Sequence, residues 1–237
     1  MRAPAISIAG SASIGGEHIF GQLAASFPAA RWTSLLGASG TGKSTLLRLL
    51  AGLSEGISFE GRITSYDGQP LVPRTILMQQ ADLLLPWASA IENVMIGAAL
   101  RGELPQEATA RKLIADVGLG GLERRKPTEL SGGQRQRVAL ARTLAEDKSV
   151  VLLDEPFSAL DPGTRRQMQD LSLRLLRGRT VVLVTHDPLE AARLGDRIML
   201  MTGAGIEPVD LPDSISSESR TSDAAAMLMR RLVSAGA

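Results

Sequence analysis

Apolar residues fall into short runs that predict strands in two separate parts of the chain. The continuous runs at residues 150–153 and 180–184 are typical of parallel strands covered on both faces. Helical spacing over residues 164–176 lies between them and predicts a β-α-β unit. Further strands are predicted over residues 5–9, 19–27, 33–37, 59–66 and 74–78.

The pattern changes in the middle of the chain, where leucines recur at helical spacing among charged residues. We predict an inserted helical subdomain over residues 82–135. The segments 1–81 and 136–205 would form one α/β core around it, so that the chain is a single domain. Residues 206–237 are predicted to be a C-terminal tail that ends in an amphipathic helix over residues 223–232.

Composition excludes several classes of protein. The 237 residues carry a formal net charge of +1, which gives no electrostatic argument for nucleic acid as a partner. There are no cysteines, so disulfides and thiolate metal sites are excluded. No apolar run approaches the roughly 18 residues of a membrane span, and the first residues lack the apolar core of a signal peptide. We therefore expect a cytosolic chain.

A glycine-rich segment at residues 37–45 fits the phosphate-binding pattern Gly-x-x-x-x-Gly-Lys-[Ser/Thr], and we call it the P-loop. Its backbone N–H groups can surround phosphate oxygens, while Lys43 would reach the β- and γ-phosphates and the Ser44 hydroxyl would bind Mg²⁺. A turn without ligand is the alternative, but the predicted strand before the loop and helix after it favour phosphate binding. The P-loop consists of Gly37, Ala38, Ser39, Gly40, Thr41, Gly42, Lys43, Ser44 and Thr45.

Two carboxylates follow the apolar run at residues 150–153. A parallel strand delivers its last residue to the sheet edge where ligands bind in such folds. Asp154 is thus placed to serve Mg²⁺, directly or through water, and Glu155 to polarise an attacking water. The alternative is a pair of acids that merely begins a loop.

The signature segment, Leu-Ser-Gly-Gly-Gln-Arg-Gln at residues 130–136, precedes a run with helical spacing. Ser131 can cap that helix, and Gly132 and Gly133 would let the backbone come close to a partner. A plain N-cap and turn is the alternative, and elementary chemistry alone slightly favours it.

The order of these motifs resembles the nucleotide-binding domain of an ATP-binding-cassette (ABC) transporter. Gln80 begins a segment similar to the family's Gln loop, residues 158–161 resemble its D-loop, and residues 185–187 resemble its His switch. The resemblance covers nearly the whole chain. It implies an α/β fold: a P-loop NTPase (RecA-like) core with a mostly parallel sheet, an N-terminal antiparallel β part and an inserted helical subdomain.

The resemblance also implies ATP bound between two copies of the chain arranged head to tail. The P-loop of one copy would hold the triphosphate, and Ser131, Gly132, Gly133 and Gln134 of the other would complete the site. This arrangement supplies a reason for the two glycines that helix capping does not.

Further roles follow from the same resemblance. Glu155 would be the general base, and His186 would contact the γ-phosphate and Glu155. Gln80 would reach Mg²⁺ and the attacking water, Asp154 would serve the Mg²⁺ site, and Asp161 would pass the state of one site to the other. Without the motif, His186 would be interpreted as a polar residue after a strand.

The expected partners are transmembrane permease subunits, a second copy of the chain and, indirectly, a solute-binding protein, with the chain peripheral at the cytoplasmic face of the inner membrane. Residues 84–87, Leu-Leu-Pro-Trp, resemble importers of the nitrate, sulfonate and taurine group and related thiamine-precursor importers. Trp87 is equally compatible with a partner contact and a core anchor. An exporter or lipoprotein-release ATPase and a soluble ABC ATPase acting on nucleic acid or ribosomes are the alternatives.

One position departs from the family pattern. The aromatic residue that usually stacks on adenine upstream of the P-loop corresponds to Ile14, and nearby Phe20 is expected to face the core. We therefore predict weak discrimination between ATP and GTP, because base–aromatic stacking would be absent.

Overall fold

The computed structural model describes residues 3–104, 106–210 and 220–235. The strands are β1 (Ile6–Ile14), β2 (Glu17–Phe27), β3 (Trp32–Leu36), β4 (Ser58–Ser65), β5 (Thr75–Met78), β6 (Val150–Asp154), β7 (Thr180–Thr185), β8 (Arg197–Thr202) and β9 (Gly205–Val209). The α-helices are α1 (Lys43–Leu50), α2 (Ala90–Leu100), α3 (Glu107–Asp116), α4 (Gly132–Ala145), α5 (Pro162–Leu175), α6 (Pro188–Leu194) and α7 (Arg220–Ala235).

The chain divides into two compact units. The first unit comprises Met1–Leu77, Ser149–Asp154 and Gly178–Ala237, and the second comprises Met78–Lys148 and Glu155–Arg177. Within the described part of the chain, no helix is both long and apolar enough to cross a membrane.

Two sheets build the first unit. The smaller is antiparallel in the order β2-β1-β4, and the larger has the order β5-β6-β7-β3-β8-β9. The strands from β6 to β8 in the larger sheet run parallel, and β9 pairs antiparallel to β8. The predicted mostly parallel sheet and the antiparallel N-terminal sheet are both present.

Side chains alternate across the larger sheet, which is covered on both faces. On β8, Met199 and Met201 join a core cluster that also contains Leu46 and Leu50 of α1 and residues of the smaller sheet. The intervening Ile198 and Leu200 join a separate cluster with residues of α6 and α7. This period of two explains why the strands are continuous apolar runs.

Besides β8, which no predicted strand covers, two features of the first unit differ from the prediction. β1 continues to Ile14 instead of ending at residue 9, because Gly10 lies opposite Gly61 and lets the two backbones approach. A Cβ atom at Gly10 would lie 2.3 Å from the carbonyl oxygen of Glu60. β9 lies within the segment assigned to the C-terminal tail, yet it is the edge strand of the larger sheet. The strand was not predicted because Pro208 argues against a strand in the sequence. Proline is tolerated in a strand chiefly at a sheet edge, which is where β9 lies.

The α7 helix confirms the predicted amphipathic helix at the C-terminal end and buries Ala224 and Leu228. Residues 211–219 and 236–237, which belong to the predicted tail, lie outside the described residues.

Helices α2, α3 and α4 pack against one another in the second unit, which also contains α5. Ser89 and Ser131 begin α2 and α4 with capping boxes. The buried Asn93 accepts a hydrogen bond of 2.7 Å from the Leu85 N–H and donates to the carbonyl oxygens of Leu85, Ala88 and Ser89. Asn93 thereby ties the Trp87 loop, residues 85–89, to α2.

Candidate active site

The P-loop connects β3 to α1, as predicted. The buried Lys43 donates hydrogen bonds from Nζ to the carbonyl oxygens of Gly37 at 2.8 Å and Ala38 at 2.6 Å, so its ammonium group lies inside the curve of the loop. Gly42 is the N-cap of α1 and provides no side-chain cap. The first N–H groups of the helix are therefore not capped by a side chain, and a phosphate anion can take that place.

Close packing beneath the P-loop restricts its shape. A Cβ atom at Gly37 would lie 2.4 Å from the carbonyl oxygen of Met201. Gly42 has a φ of 94°, and a Cβ atom there would lie 2.9 Å from side-chain atoms of Ile19 and Phe20. Residues 38–40 are exposed instead, so the loop is supported from below and open to a ligand above.

Three predicted parts of the site, one loop and two single residues, reach one edge of the larger sheet. Parallel pairing places Leu36, just before the P-loop, opposite Thr185 at the end of β7. It places Asp154, the last residue of β6, opposite Val184. The P-loop, Asp154 and His186 therefore follow the carboxyl ends of neighbouring strands, where ligands bind in such sheets.

Ser44 and Asp154 offer the oxygen atoms that Mg²⁺ prefers. Ser44 is exposed on the first turn of α1, and Asp154 is 8% exposed. Among the described residues no group of three or more His, Cys, Asp or Glu could hold a metal ion. A hydroxyl and a single carboxylate fit a magnesium ion that also uses phosphate oxygens as ligands, which is its usual manner of binding nucleotides.

The exposed His186 lies at the bend between β7 and α6. On one side, the Asp187 N–H donates to the Thr185 hydroxyl at 3.0 Å. On the other, the Asp187 carboxylate caps α6 by accepting from Leu189 N–H at 2.9 Å. The backbone on either side of His186 is thus fixed.

The second unit brings Gln80 and Glu155 together. Gln80 Nε2 donates a long hydrogen bond of 3.4 Å to Glu155 Oε2. Glu155 has a φ of 46°, which is uncommon for a residue other than glycine and is frequent at functional sites. Its carbonyl oxygen accepts from the Ser158 N–H at 3.3 Å and from the Ser158 hydroxyl at 3.0 Å.

Gln136 belongs to the same arrangement and was not among the predicted site residues. It is 4% exposed, and its Nε2 donates to the carbonyl oxygens of Pro156 at 3.1 Å and Gln80 at 3.5 Å. The sequence contains a signal, because Gln136 begins the buried stripe of α4 that continues at Ala139, Leu140 and Thr143. A glutamine in such a stripe indicates a buried hydrogen-bonding role.

The signature segment caps α4. The Ser131 hydroxyl accepts from the Gln134 N–H at 3.2 Å, and Gln134 Oε1 accepts from the Ser131 N–H at 2.8 Å. Capping does not explain Gly132, since a Cβ atom there would meet only Arg135 Nη2 at 3.8 Å. A Cβ atom at Gly133 would lie 3.3 Å from Leu160 Cδ2. Gly132 therefore faces open space in its own chain.

Asp161 is the N-cap of α5 and is exposed. Its Oδ1 accepts from the Thr164 N–H at 3.0 Å. Hydrogen bonds from the Thr164 backbone and side chain hold the pKa of Asp161 below its ordinary value. The carboxylate is therefore ionised at neutral pH, with oxygen atoms still able to reach solvent.

At the end of β1, the side chain of Ile14 is 37% exposed. Phe20 is 5% exposed and packs in the core, which confirms its predicted orientation.

The side chain of Trp87 is 71% exposed, so its interpretation as a core anchor is wrong. The preceding Pro86 is also exposed, and Asn93 fixes the backbone so that the indole points to solvent. Trp87 borders an open, mostly apolar groove of about 390 Å³, which we call the Trp87 groove. The groove is lined by Leu85, Trp87, Ala88, Glu92, Met95, Ile96 and Ala99.

Fold and P-loop together define a nucleotide-binding ATPase cassette. Residues 20–158 match the family model described as ABC transporter, and the chain belongs to this family as an ATP-binding subunit with ATPase activity. An aliphatic sulfonates import ATP-binding protein, SsuB 1, from Rhodococcus jostii is 49% identical over 74% of this chain and 69% of its own length. An uncharacterised ABC transporter ATP-binding protein from Haemophilus influenzae is 45% identical over 81% of this chain and 79% of its own length.

A solved ATP-binding cassette also matches the structure. It is a dimer in a post-hydrolysis state bound to ADP and phosphate, with a TM-score of 0.73 and 27% identity over 87% of this chain and 100% of that one. The family, the predicted fold class and the ATPase activity are thereby confirmed.

Proposed function

We propose that the chain hydrolyses ATP to drive a bacterial-type importer for a small solute of the sulfonate type. The observation that carries this proposal is the high identity to proteins named for aliphatic sulfonate import, which reaches 49% and 45% in two of them. Nitrate and pyrimidine or thiamine-precursor solutes are the alternatives within the same group of importers.

Two copies of the chain would enclose ATP, with the P-loop of one facing Ser131, Gly132, Gly133 and Gln134 of the other. Lys43 would reach the β- and γ-phosphates from inside the loop. The open space at Gly132 supports this arrangement, because nothing in its own chain requires a glycine there. The match to a dimeric solved cassette supports it as well.

Glu155 would act as the general base for in-line attack of water on the γ-phosphate, with Gln80 orienting that water. The contact between Gln80 and Glu155 supports this pairing. We assign His186 to the γ-phosphate and Asp161 to communication between the two sites of the dimer. Ser44, Asp154 and Gln80 would hold Mg²⁺, which supplies charge neutralisation at the phosphates when bound.

The helical subdomain, residues 82–135, would dock on the permease through the Trp87 groove. An exposed tryptophan beside an apolar groove has the chemistry of a binding hot spot. Docking would hold the chain at the cytoplasmic face of the inner membrane, and a solute-binding protein would deliver the solute to the permease at the opposite face.

The test is transport by the assembled complex in vesicles with ATP on the side of the cassette. We expect ATP-dependent uptake of an alkanesulfonate, competed by other alkanesulfonates and not by nitrate or pyrimidines. Competition by nitrate or a pyrimidine would replace the sulfonate assignment. Solute movement toward the binding-protein side would identify an exporter, and copurification with ribosomes or nucleic acid instead of a permease would refute the transport function.

A further inference from the structure

Gln136 spans the two backbone segments that carry Gln80 and Glu155. We propose that Gln136 is a positioning residue for ATP hydrolysis, which sets these two side chains against each other. The inference rests on the proposed roles of Gln80 and Glu155. It adds Gln136, a residue that has no role in the proposed function.

The chemistry of the contact fixes the orientation of the amide. Both partners of Gln136, the carbonyl oxygens of Pro156 and Gln80, are acceptors, so only its NH₂ group can bond to them. Pro156 directly follows Glu155 in the chain. One buried amide group therefore joins the main chain at Gln80 to the main chain at Pro156. The side chains of Gln80 and of Glu155, the residue before Pro156, meet at 3.4 Å.

The backbone around Glu155 depends on such support. A φ of 46° is costly for glutamate, and it persists only where neighbouring groups hold it. Ser158 holds the carbonyl oxygen of Glu155, and Gln136 holds the next carbonyl along the chain. Loss of the Gln136 amide would let this turn relax and move the carboxylate away from Gln80.

Gln136 also lies five positions after Ser131 on one continuous helix. The capping box fixes Ser131 to the first turn of α4, and Gln136 fixes the next turn to Gln80 and Pro156. The signature segment would contact the ATP that the P-loop of the other copy holds. Through α4 it is thus tied to Gln80 and Glu155 of its own copy.

The alternative is a buried glutamine that only contributes to stability. Gln169 of α5 provides a matched control, because it is also a buried glutamine of the second unit, with 5% exposure. A structural role predicts that Gln136→Met and Gln169→Met lower the melting temperature alike and leave kcat unchanged for the folded protein.

The experiment measures phosphate release and equilibrium ATP binding by the purified full-length chain. We expect Gln136→Met to lower kcat by about 10- to 100-fold, the range for a small misplacement of a catalytic group, with the ATP dissociation constant unchanged. Gln169→Met keeps its kcat. Equal kcat values for the two variants and the natural chain would overturn the proposal. If Gln136→Met does not fold, Gln136→Glu retains the shape with at most one donor and is expected to show the same split.

A double-mutant cycle with Glu155→Gln then identifies the route of the effect. If Gln136 acts through Glu155, adding Gln136→Met to Glu155→Gln causes no further loss of single-turnover rate. Multiplicative losses would refute action through Glu155. Full ATP turnover by Glu155→Gln alone would refute the proposed role of Glu155 as the base. Loss of turnover in Glu155→Gln together with full turnover in Gln136→Met would refute only the role of Gln136.

Discussion

Arg142 Nη1 lies 2.7 Å from the carbonyl oxygen of Leu83, and this hydrogen bond fixes the backbone of Leu83, whose φ is 46°. Its Nη2 also donates to the carbonyl oxygen of Asp82 at 2.6 Å. Arg135 Nε donates to Asp82 Oδ2 at 2.9 Å. Helix α4 therefore holds the backbone between Gln80 and Trp87 at several points.

Replacing Arg142 with lysine should destabilise the second unit. Lysine keeps the charge but cannot donate in the same fork to two carbonyl oxygens. We expect the free energy of unfolding to fall by about 1–3 kcal/mol, measured by urea denaturation. Arg111→Lys, at an exposed ion pair on α3, is the control and should change it by less than about 0.5 kcal/mol. Equal effects of the two substitutions would contradict the role of Arg142.

Glu155→Gln should separate binding from hydrolysis. We expect the ATP dissociation constant to stay unchanged while kcat falls by about 10²- to 10⁴-fold, the usual contribution of a general base. Lys43→Ala should instead weaken ATP binding, because the ammonium group inside the P-loop is lost. Fluorescent nucleotide titration and phosphate release measure the two quantities. Unchanged steady-state turnover in Glu155→Gln would exclude it as the base.

Gly132→Ala should harm activity without harming the fold. Beyond its chain neighbours and the backbone of its own helix, the added methyl group meets no atom closer than 3.8 Å, so the free energy of unfolding should be unchanged or rise by up to about 1 kcal/mol. ATPase activity should nevertheless fall, because the methyl group would occupy space needed by the nucleotide of the second copy. Gly163→Ala, in the first turn of α5, is the control and should keep its activity. Full activity in Gly132→Ala would argue against close approach of a nucleotide there.

Trp87→Ala should weaken permease binding with little change in stability. A hot-spot tryptophan contributes at least about 2 kcal/mol, which corresponds to roughly 30-fold in affinity. Tyr66→Ala is the matched control, since Tyr66 is also 71% exposed but lies in the first unit. Copurification and titration with the solubilised permease measure the difference. The docking assignment fails if both variants bind as the natural chain does.

Nucleotide selectivity should be weak. With Ile14 at the expected base position, the dissociation constants of ATP and GTP should agree within about tenfold, because apolar contact does not distinguish the two bases. Ile14→Tyr should tighten both by about tenfold through stacking, whereas Leu53→Tyr, at another exposed site, should change neither. A large preference of the natural chain for ATP over GTP would refute this prediction.

The sequence was most informative where one local pattern determines the structure. Buried parallel strands must be apolar on both sides, so β3, β6 and β7 were predicted to within about two residues of their ends. The P-loop was equally clear, because its glycines, its lysine and its serine stand at a fixed spacing within one short segment, residues 37–45.

Features that depend on tertiary partners were not predictable in the same way. Gly10 reads as a strand breaker until Gly61 is placed opposite it. The roles of Gln136 and Arg142 can be recognised only in the folded structure, where the loop after Gln80 lies against α4. Sequence spacing along one helix shows which face a residue occupies, but not which backbone carbonyl oxygens lie beyond that face.

Asn93 lowers the conformational entropy that would be lost when a partner binds the Trp87 loop. Its side-chain oxygen and nitrogen make four hydrogen bonds to the backbone of Leu85, Ala88 and Ser89. The loop is therefore preorganised, and a partner that covers Trp87 need not first freeze a disordered segment. Because that conformational entropy is lost during folding and not during association, even a small apolar contact here can be specific.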